Sequence, residues 1–287
     1  MQKFTFPHSH SDLGTYLDQL CKDESQHLVS AIHKMLATSG DNVMDLKPLI
    51  MKSCANIFNR YFCSSNRCQY DDEDFTNYCQ DFDQVFWEIN NGRAVDFLPW
   101  LMPIFKHSSA IATMKKASHN VRNYVKEKII APKRARRSSL TKRGDFLDEI
   151  MTYIDDPSHE SKDDAILTRQ SALFALEDIL GGHSAVANII LRILFDLALD
   201  DNKDSQKAVK AQINEAQPNG YISLEDRPNL PMVVACMHET IRLTCSPIVP
   251  HQATQDSTID GEINRQGFCI PIISCPFFKA TTCPRIR

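Results

Sequence analysis

The sequence predicts a mainly α-helical fold with a small β component near its carboxyl end, and three observations carry that expectation. Apolar residues recur at helical spacing through most of residues 11–243. One 36-residue stretch, Asp164 to Leu199, is apolar on nearly all sides and has no proline. After Pro247 the texture changes to short strand-like runs bounded by Pro, Gly and Asp. The 287 residues suffice for one large domain or two ordinary ones, and no internal repeat is evident. A hydrophobic share of 43% and a charged share of 24% describe an ordinary globular chain. The net charge of −4 gives no general pull toward nucleic acid or an anionic membrane.

In chain order, Ser11 to Leu36 is an amphipathic helix through Leu13, Leu17, Leu20, Leu28 and Ile32, with Ser11 as its N-cap. Val43 to Phe62 repeats the pattern through Leu46, Leu49, Ile50, Cys54 and Phe58. Asp71-Asp72-Glu73-Asp74 is the acidic start that a helix dipole favours, for a helix reaching Ile89. Phe97-Leu98-Pro99-Trp100-Leu101-Met102-Pro103 forms a proline-bracketed connector, and Ala110 to Ile130 the next helix. Asp145 to Ile154 is short. Asp201 to Ala216 is polar and amphipathic, followed by a turn at Pro218-Asn219-Gly220. Leu230 to Leu243 is a helix opened by Pro231, at a position where its missing N–H costs nothing. Ile248-Val249, Gln252-Ala253-Thr254 and Phe268-Cys269-Ile270 are the strand-like pieces, and Glu262 to Arg265 reads as a loop.

The 164–199 segment would form a rod of roughly 54 Å. A helix apolar all round is buried. A membrane span does not fit, because Glu177, Asp178, Arg192 and Asp196 interrupt the apolar run. Inside it stand Gly181 and Gly182, each costing about 1 kcal/mol relative to alanine. Two benefits could offset that cost: a tight helix–helix contact, or a face on which something flat can lie.

Residues 1–30 contain neither a signal-peptide core nor a membrane anchor. The ten cysteines form no C-x-x-C pair and read as reduced thiols, mostly small core hydrophobes. Lys126 to Arg143 carries eight basic residues against one acid. No aromatic residue interleaves it to stack bases, so a solvated loop between two helices is preferred to a nucleic-acid patch.

Glu239 and Arg242 lie at i and i+3, a spacing that permits a salt bridge; Glu262 and Arg265 repeat it, so spacing alone describes an ordinary surface pair. In context it means more. The run from Leu230-Pro231 through Met237-His238-Glu239-Thr240-Ile241-Arg242-Leu243, then Pro247 and Val249-Pro250-His251-Gln252-Ala253-Thr254-Gln255-Asp256, resembles the K-helix and following strands of a cytochrome P450. The preceding order, a long buried helix and then a polar one, resembles that family too. The acidic stretch, the Phe-Leu-Pro-Trp connector and the Gly-Gly-His-Ser-Ala-Val block look closest to the insect Spook/Spookier type, steroidogenic members acting early in ecdysteroid synthesis.

The resemblance implies one incomplete cytochrome P450 domain over 1–287, from about the D-helix to the second β-sheet. Residues 164–199 would be the I-helix, 230–243 the K-helix, and 272–287 a tail foreign to the family. It implies haem as cofactor, with Gly181, Gly182 and Ala185 at its distal face and His251 against a propionate. Glu239 and Arg242 would be a buried structural clamp, and Leu173, Leu176, Glu177, Ile248 and Val249 would line the substrate pocket. A sterol substrate and an NADPH-dependent reductase are the implied partners, with no nucleic acid. The implied parent sits on the cytosolic face of the endoplasmic reticulum membrane through an anchor outside this sequence.

Two departures from the family pattern shape the functional expectation. Where the I-helix motif carries an acid and a threonine, this chain has Ser184 and Ala185, so proton delivery would fall to Ser184, His183, ordered water or a substrate hydroxyl. The glycine- and arginine-bearing loop that holds the axial cysteine does not occur; Cys275 and Cys283 lack it, leaving no metal ligand. The chain alone is therefore expected to be inactive. The competing expectations are a non-catalytic helical sterol-binding protein of the same fold and a scaffold that uses the 126–143 run.

Overall fold

The computed structural model describes residues 10–38, 44–90, 95, 98–105, 108–137, 145–155, 168–217 and 221–244, and short strands at 251–252, 257–259, 262–264 and 269–270 with residues 255–256. The helices run in chain order as α1 (His10–Thr38), α2 (Lys47–Cys63), α3 (Glu73–Asn90), a 3-10 turn (Pro99–Leu101) and α4 (Met102–Phe105). Then come α5 (Ser109–Tyr124), a π-helical turn (Val125–Ile130), α6 (Ala131–Arg137), α7 (Phe146–Asp155), α8 (Arg169–Ala198), α9 (Lys203–Ala216) and α10 (Pro231–Thr244). The mainly helical class stands as expected. Asp164 to Leu167, the Pro218-Asn219-Gly220 turn, Ile248, Val249 and the 272–287 tail lie outside the described residues.

Several boundaries differ from the sequence reading. Helix α1 already includes His10, so Ser11 is not its cap. Thr168 caps α8 by accepting from the Ser171 N–H (3.1 Å), so the rod is 30 residues, roughly 45 Å. The basic run is not a free loop up to Arg137: α5 continues through the π turn into α6. Pro132 has no N–H to donate and would crowd the carbonyl four residues back. The wider register just before it, where the Ala131 N–H reaches the Lys126 carbonyl, absorbs that mismatch. Within the run, Lys133 is paired internally, reaching Asp145 and also Asp148 (3.0 Å). Glu262–Asn264 is a strand rather than a loop, pairing antiparallel with Ser257–Ile259; His251–Gln252 pairs antiparallel with Cys269–Ile270.

Helices α2, α3, α5, α7 and α8 enclose one apolar core, centred on Ala55, Phe75, Tyr78, Val125, Leu147, Leu176 and Leu180. Helix α8 runs through it, packed along α2, with α3 and α7 beside it and α9 and α10 toward its carboxyl end. By length and composition α8 could cross a membrane. One face of it packs into the core, through Ala172, Leu176, Leu180 and Ala187. The segment after α9 is tied back across the chain: Tyr221 Oη and the Leu224 N–H both donate to Asp18 of α1 (3.1 Å each).

Candidate functional site

The middle of α8 resolves which benefit offsets the two glycines. A Cβ at Gly181 would stand 2.8 Å from Phe82 Cε1 of α3, and one at Gly182 would stand 2.9 Å from Phe58 Cε1 of α2. Aromatic rings from two neighbouring helices therefore occupy the space that a side chain would need. In this structure the notch is a helix-packing device, not an open shelf.

His183 follows into the same aromatic nest. Its ring is fully buried, edge-on to Phe82 (5.1 Å between centroids) and Phe58 (6.4 Å), and stacked on Tyr78 (5.9 Å). Nδ1 donates to the Leu180 carbonyl (2.6 Å), which leaves the Nε2 lone pair without a partner. Burial, only partly offset by that carbonyl and by Asp83, pushes its pKa down to about 4. The ring is thus neutral near pH 7, and an aromatic wall surrounds its free nitrogen. Burial and the ring contacts make His183 part of the packed core in this structure. Ser184 is also fully buried with an unpartnered hydroxyl, while its carbonyl accepts from Asn188 (2.9 Å).

Toward its carboxyl end, in line with Gly182 at steps of four residues, α8 has a different character. Val186, Ile190 and Leu194, spaced at i, i+4 and i+8, form an exposed apolar stripe, with half-buried Ala185 beside it. Apolar residues on α10, namely Met237, Ile241 and Leu243, are exposed as well.

Among the described residues, Leu173, Leu176 and Glu177 stand in three different settings. Leu176 is fully buried in the core. Leu173 borders a separate cleft of about 250 Å³ with Ile130, Leu147 and Ile150. Glu177 accepts both arms of the Arg122 guanidinium from α5 (3.0 and 3.1 Å), and Arg122 also lies over the Phe174 ring (4.4 Å). Glu177 is therefore a tie between α5 and α8, a role its sequence position did not reveal.

Glu239 and Arg242 do pair, with two short hydrogen bonds (2.7 and 2.6 Å), and Arg242 holds the Glu239 carboxyl below the usual range. The side chains remain 38% and 35% exposed, so the clamp is formed but not buried as expected. Glu239 also borders a cleft of about 200 Å³ against Ile193, Asp196 and Leu197 of α8. The backbone of His251 lies in its strand.

Sequence reasoning missed a buried polar centre at the α1–α2 contact. Glu24 is fully buried and accepts from Arg67 Nε (2.9 Å), Tyr70 Oη (2.7 Å) and Asn56 Nδ2 (3.1 Å). Asn56 in turn exchanges hydrogen bonds with both backbone groups of Cys68 (3.0 and 2.9 Å). Glu24 sits 32 to 46 residues from these partners, so no local pattern announces it.

A long central helix, a polar helix and a helix with a closed Glu-x-x-Arg pair follow one another in the order that the sequence led us to expect. The chain matches the cytochrome P450 family over residues 1–271 and belongs to it. Cytochrome P450 307a1 of Drosophila melanogaster is 38% identical over 221 residues, 76% of this chain and 38% of that protein. Human cytochrome P450 1B1 is 23% identical over 251 residues, 82% of this chain and 45% of that protein. A zebrafish cytochrome P450 solved with progesterone shares the fold: TM-score 0.66, 21% identity, covering 88% of this chain and 56% of that one. The chain spans less than half the length of these curated relatives.

The family implies haem. The described residues fit one side of a porphyrin, through the bare apolar stripe of α8, and offer no thiolate for the other.

Proposed function

We propose that this chain is the distal half of a haem-thiolate monooxygenase whose whole protein oxidises a sterol in ecdysteroid synthesis. The observation that carries the reading is the 38% identity to the Drosophila 307a1 enzyme, an identity well above that shared with the human relative. The connector and Gly-Gly-His-Ser-Ala-Val blocks, which look like the Spook/Spookier type, point the same way. When bound, haem supplies oxygen activation. The part of this chain is to present the stripe Ala185, Val186, Ile190 and Leu194 as an apolar, water-excluding distal wall.

Gly181 and Gly182 act on that wall indirectly, by letting α2 and α3 seat α8 closely. Ser184 keeps a hydroxyl without a partner where the family places an acid, which leaves it as the residue of the motif able to hold a proton or a water. His251 is assigned to a propionate, Ile248 and Val249 to the substrate pocket, and Glu239 with Arg242 to a structural clamp. Electrons would come from an NADPH-dependent reductase at the cytosolic face of the endoplasmic reticulum.

The chain by itself is inactive in this reading. The test is a carbon-monoxide difference spectrum on haem-reconstituted chain, beside a chimera extended with the carboxyl-terminal portion of the Drosophila relative. A thiolate-type band in the chimera alone supports the proposal. The same band in the unextended chain, or its absence from a folded chimera, refutes it. Sterol binding by the chain without haem would favour the non-catalytic sterol-binding alternative.

A further inference from the structure

Between α1, α2 and the segment after α2 lies an open groove of about 790 Å³, lined by no residue of α8. Its walls are mostly apolar: Ala31 and Met35 from α1, Pro48 and Leu49 from α2. At its base stands Lys52, only 7% exposed. The ammonium carries three donors, and one of them is used, on the Tyr70 carbonyl (2.6 Å). Among the described residues no carboxylate comes within ion-pair distance of it.

A cation withdrawn from water without a counter-charge is costly, and a cation lining an apolar groove is placed to receive an anion there. The neighbouring cation Arg67 is already committed to Glu24, which leaves Lys52 the unneutralised one. Exposed Lys34 stands at the rim, as do the exposed carboxylates Asp45 and Asp71, which disfavour a multiply charged ligand. The wall is also held in place, because Asn56 and Glu24 staple the segment carrying Arg67, Cys68 and Tyr70. A pre-formed apolar trough ending in one buried ammonium suits a single negative head on an apolar body.

We propose that this groove binds an amphipathic monocarboxylate, its head on Lys52 Nζ and its chain between Met35 and Leu49. The site does not depend on haem or on the sterol reading. The test is isothermal titration of the 287-residue chain with laurate below its micellar concentration, beside dodecanol and dodecyltrimethylammonium. Laurate should bind, with dodecanol at least tenfold weaker and the cationic amphiphile not detected, since a charge-assisted hydrogen bond is worth about a factor of ten or more. Lys52→Met should weaken laurate about tenfold or more. Met35→Glu, at an exposed rim position, should do likewise with unchanged helicity and thermal midpoint, so it decides the matter if Lys52→Met fails to fold. Equal affinity for dodecanol, no heat with laurate, or undiminished binding in a folded Lys52→Met or Met35→Glu chain overturns the proposal.

Discussion

Replacing Gly181 by alanine tests whether ring packing is what the glycine pair is for. The new methyl would lie 2.8 Å from Cε1 and 3.2 Å from Cδ1 of Phe82, against an ordinary carbon–carbon contact of about 3.5–4.0 Å. Phe82 cannot swing aside freely, because its ring is edge-on to both Tyr78 (5.0 Å) and His183 (5.1 Å). Overpacking of this kind costs about 1–3 kcal/mol, while alanine in place of glycine returns about 1 kcal/mol of helix propensity. Gly181→Ala should therefore destabilise by about 0–2 kcal/mol, an ambiguous figure alone. The informative quantity is its coupling to Phe82→Leu. With the ring gone, the methyl has room and the propensity gain should appear as a stabilisation of up to about 1 kcal/mol. The two backgrounds then differ by about 1–3 kcal/mol, well above the ~0.5 kcal/mol within which independent sites add. Urea unfolding of the four proteins, compared at matched m-values, measures it. A coupling inside ~0.5 kcal/mol would refute the packing account and return the notch to a ligand-facing role.

Other measurements follow from the same geometry. The pKa of His183 is depressed on folding, so its contribution is fully present above the unfolded value near 6.5 and is lost as pH falls through about 4. The unfolding free energy should drop by about 3 kcal/mol across that window from this residue, and His183→Phe should remove the drop in a pH series of urea titrations. Glu24→Ala leaves Arg67, 14% exposed, with no carboxylate and removes the acceptor of three donors; a loss of about 3 kcal/mol or more is expected in thermal unfolding. Arg122→Ala and Glu177→Ala should each cost about 1 kcal/mol, with most of that shared in a double-mutant cycle, given a guanidinium one-third exposed. Glu239→Gln should cost less than ~1 kcal/mol in this chain because the pair is more than a third exposed.

The order of helices and the motif spacings were legible in the sequence, because apolar periodicity and caps are local properties. Facing was not. Helix α8 is apolar all round, so its pattern could not tell which stretch takes Phe58 and Phe82 and which remains bare. That ambiguity is why the sequence leaves His183 among the candidates for proton delivery, where the structure shows a buried core ring. The same limit applies to Glu177, whose partner Arg122 is 55 residues away, and to Glu24, whose partners are scattered. The basic run misled for a different reason. Its density of charge reads as solvated loop, whereas the π turn carries the helix past Pro132 into α6. Exposure of Glu239 and Arg242 depends on what covers α10, a property no i, i+3 spacing encodes.

The line of Val186, Ile190 and Leu194 has a bearing on biogenesis. In the longer relatives, residues beyond this region leave the ribosome after α8 does, so the central helix must emerge with one flank greasy and unsheltered. During that interval it is a natural substrate for chaperones or for the surface of the nearby bilayer, and synthesis that stalls there would leave a product prone to clumping.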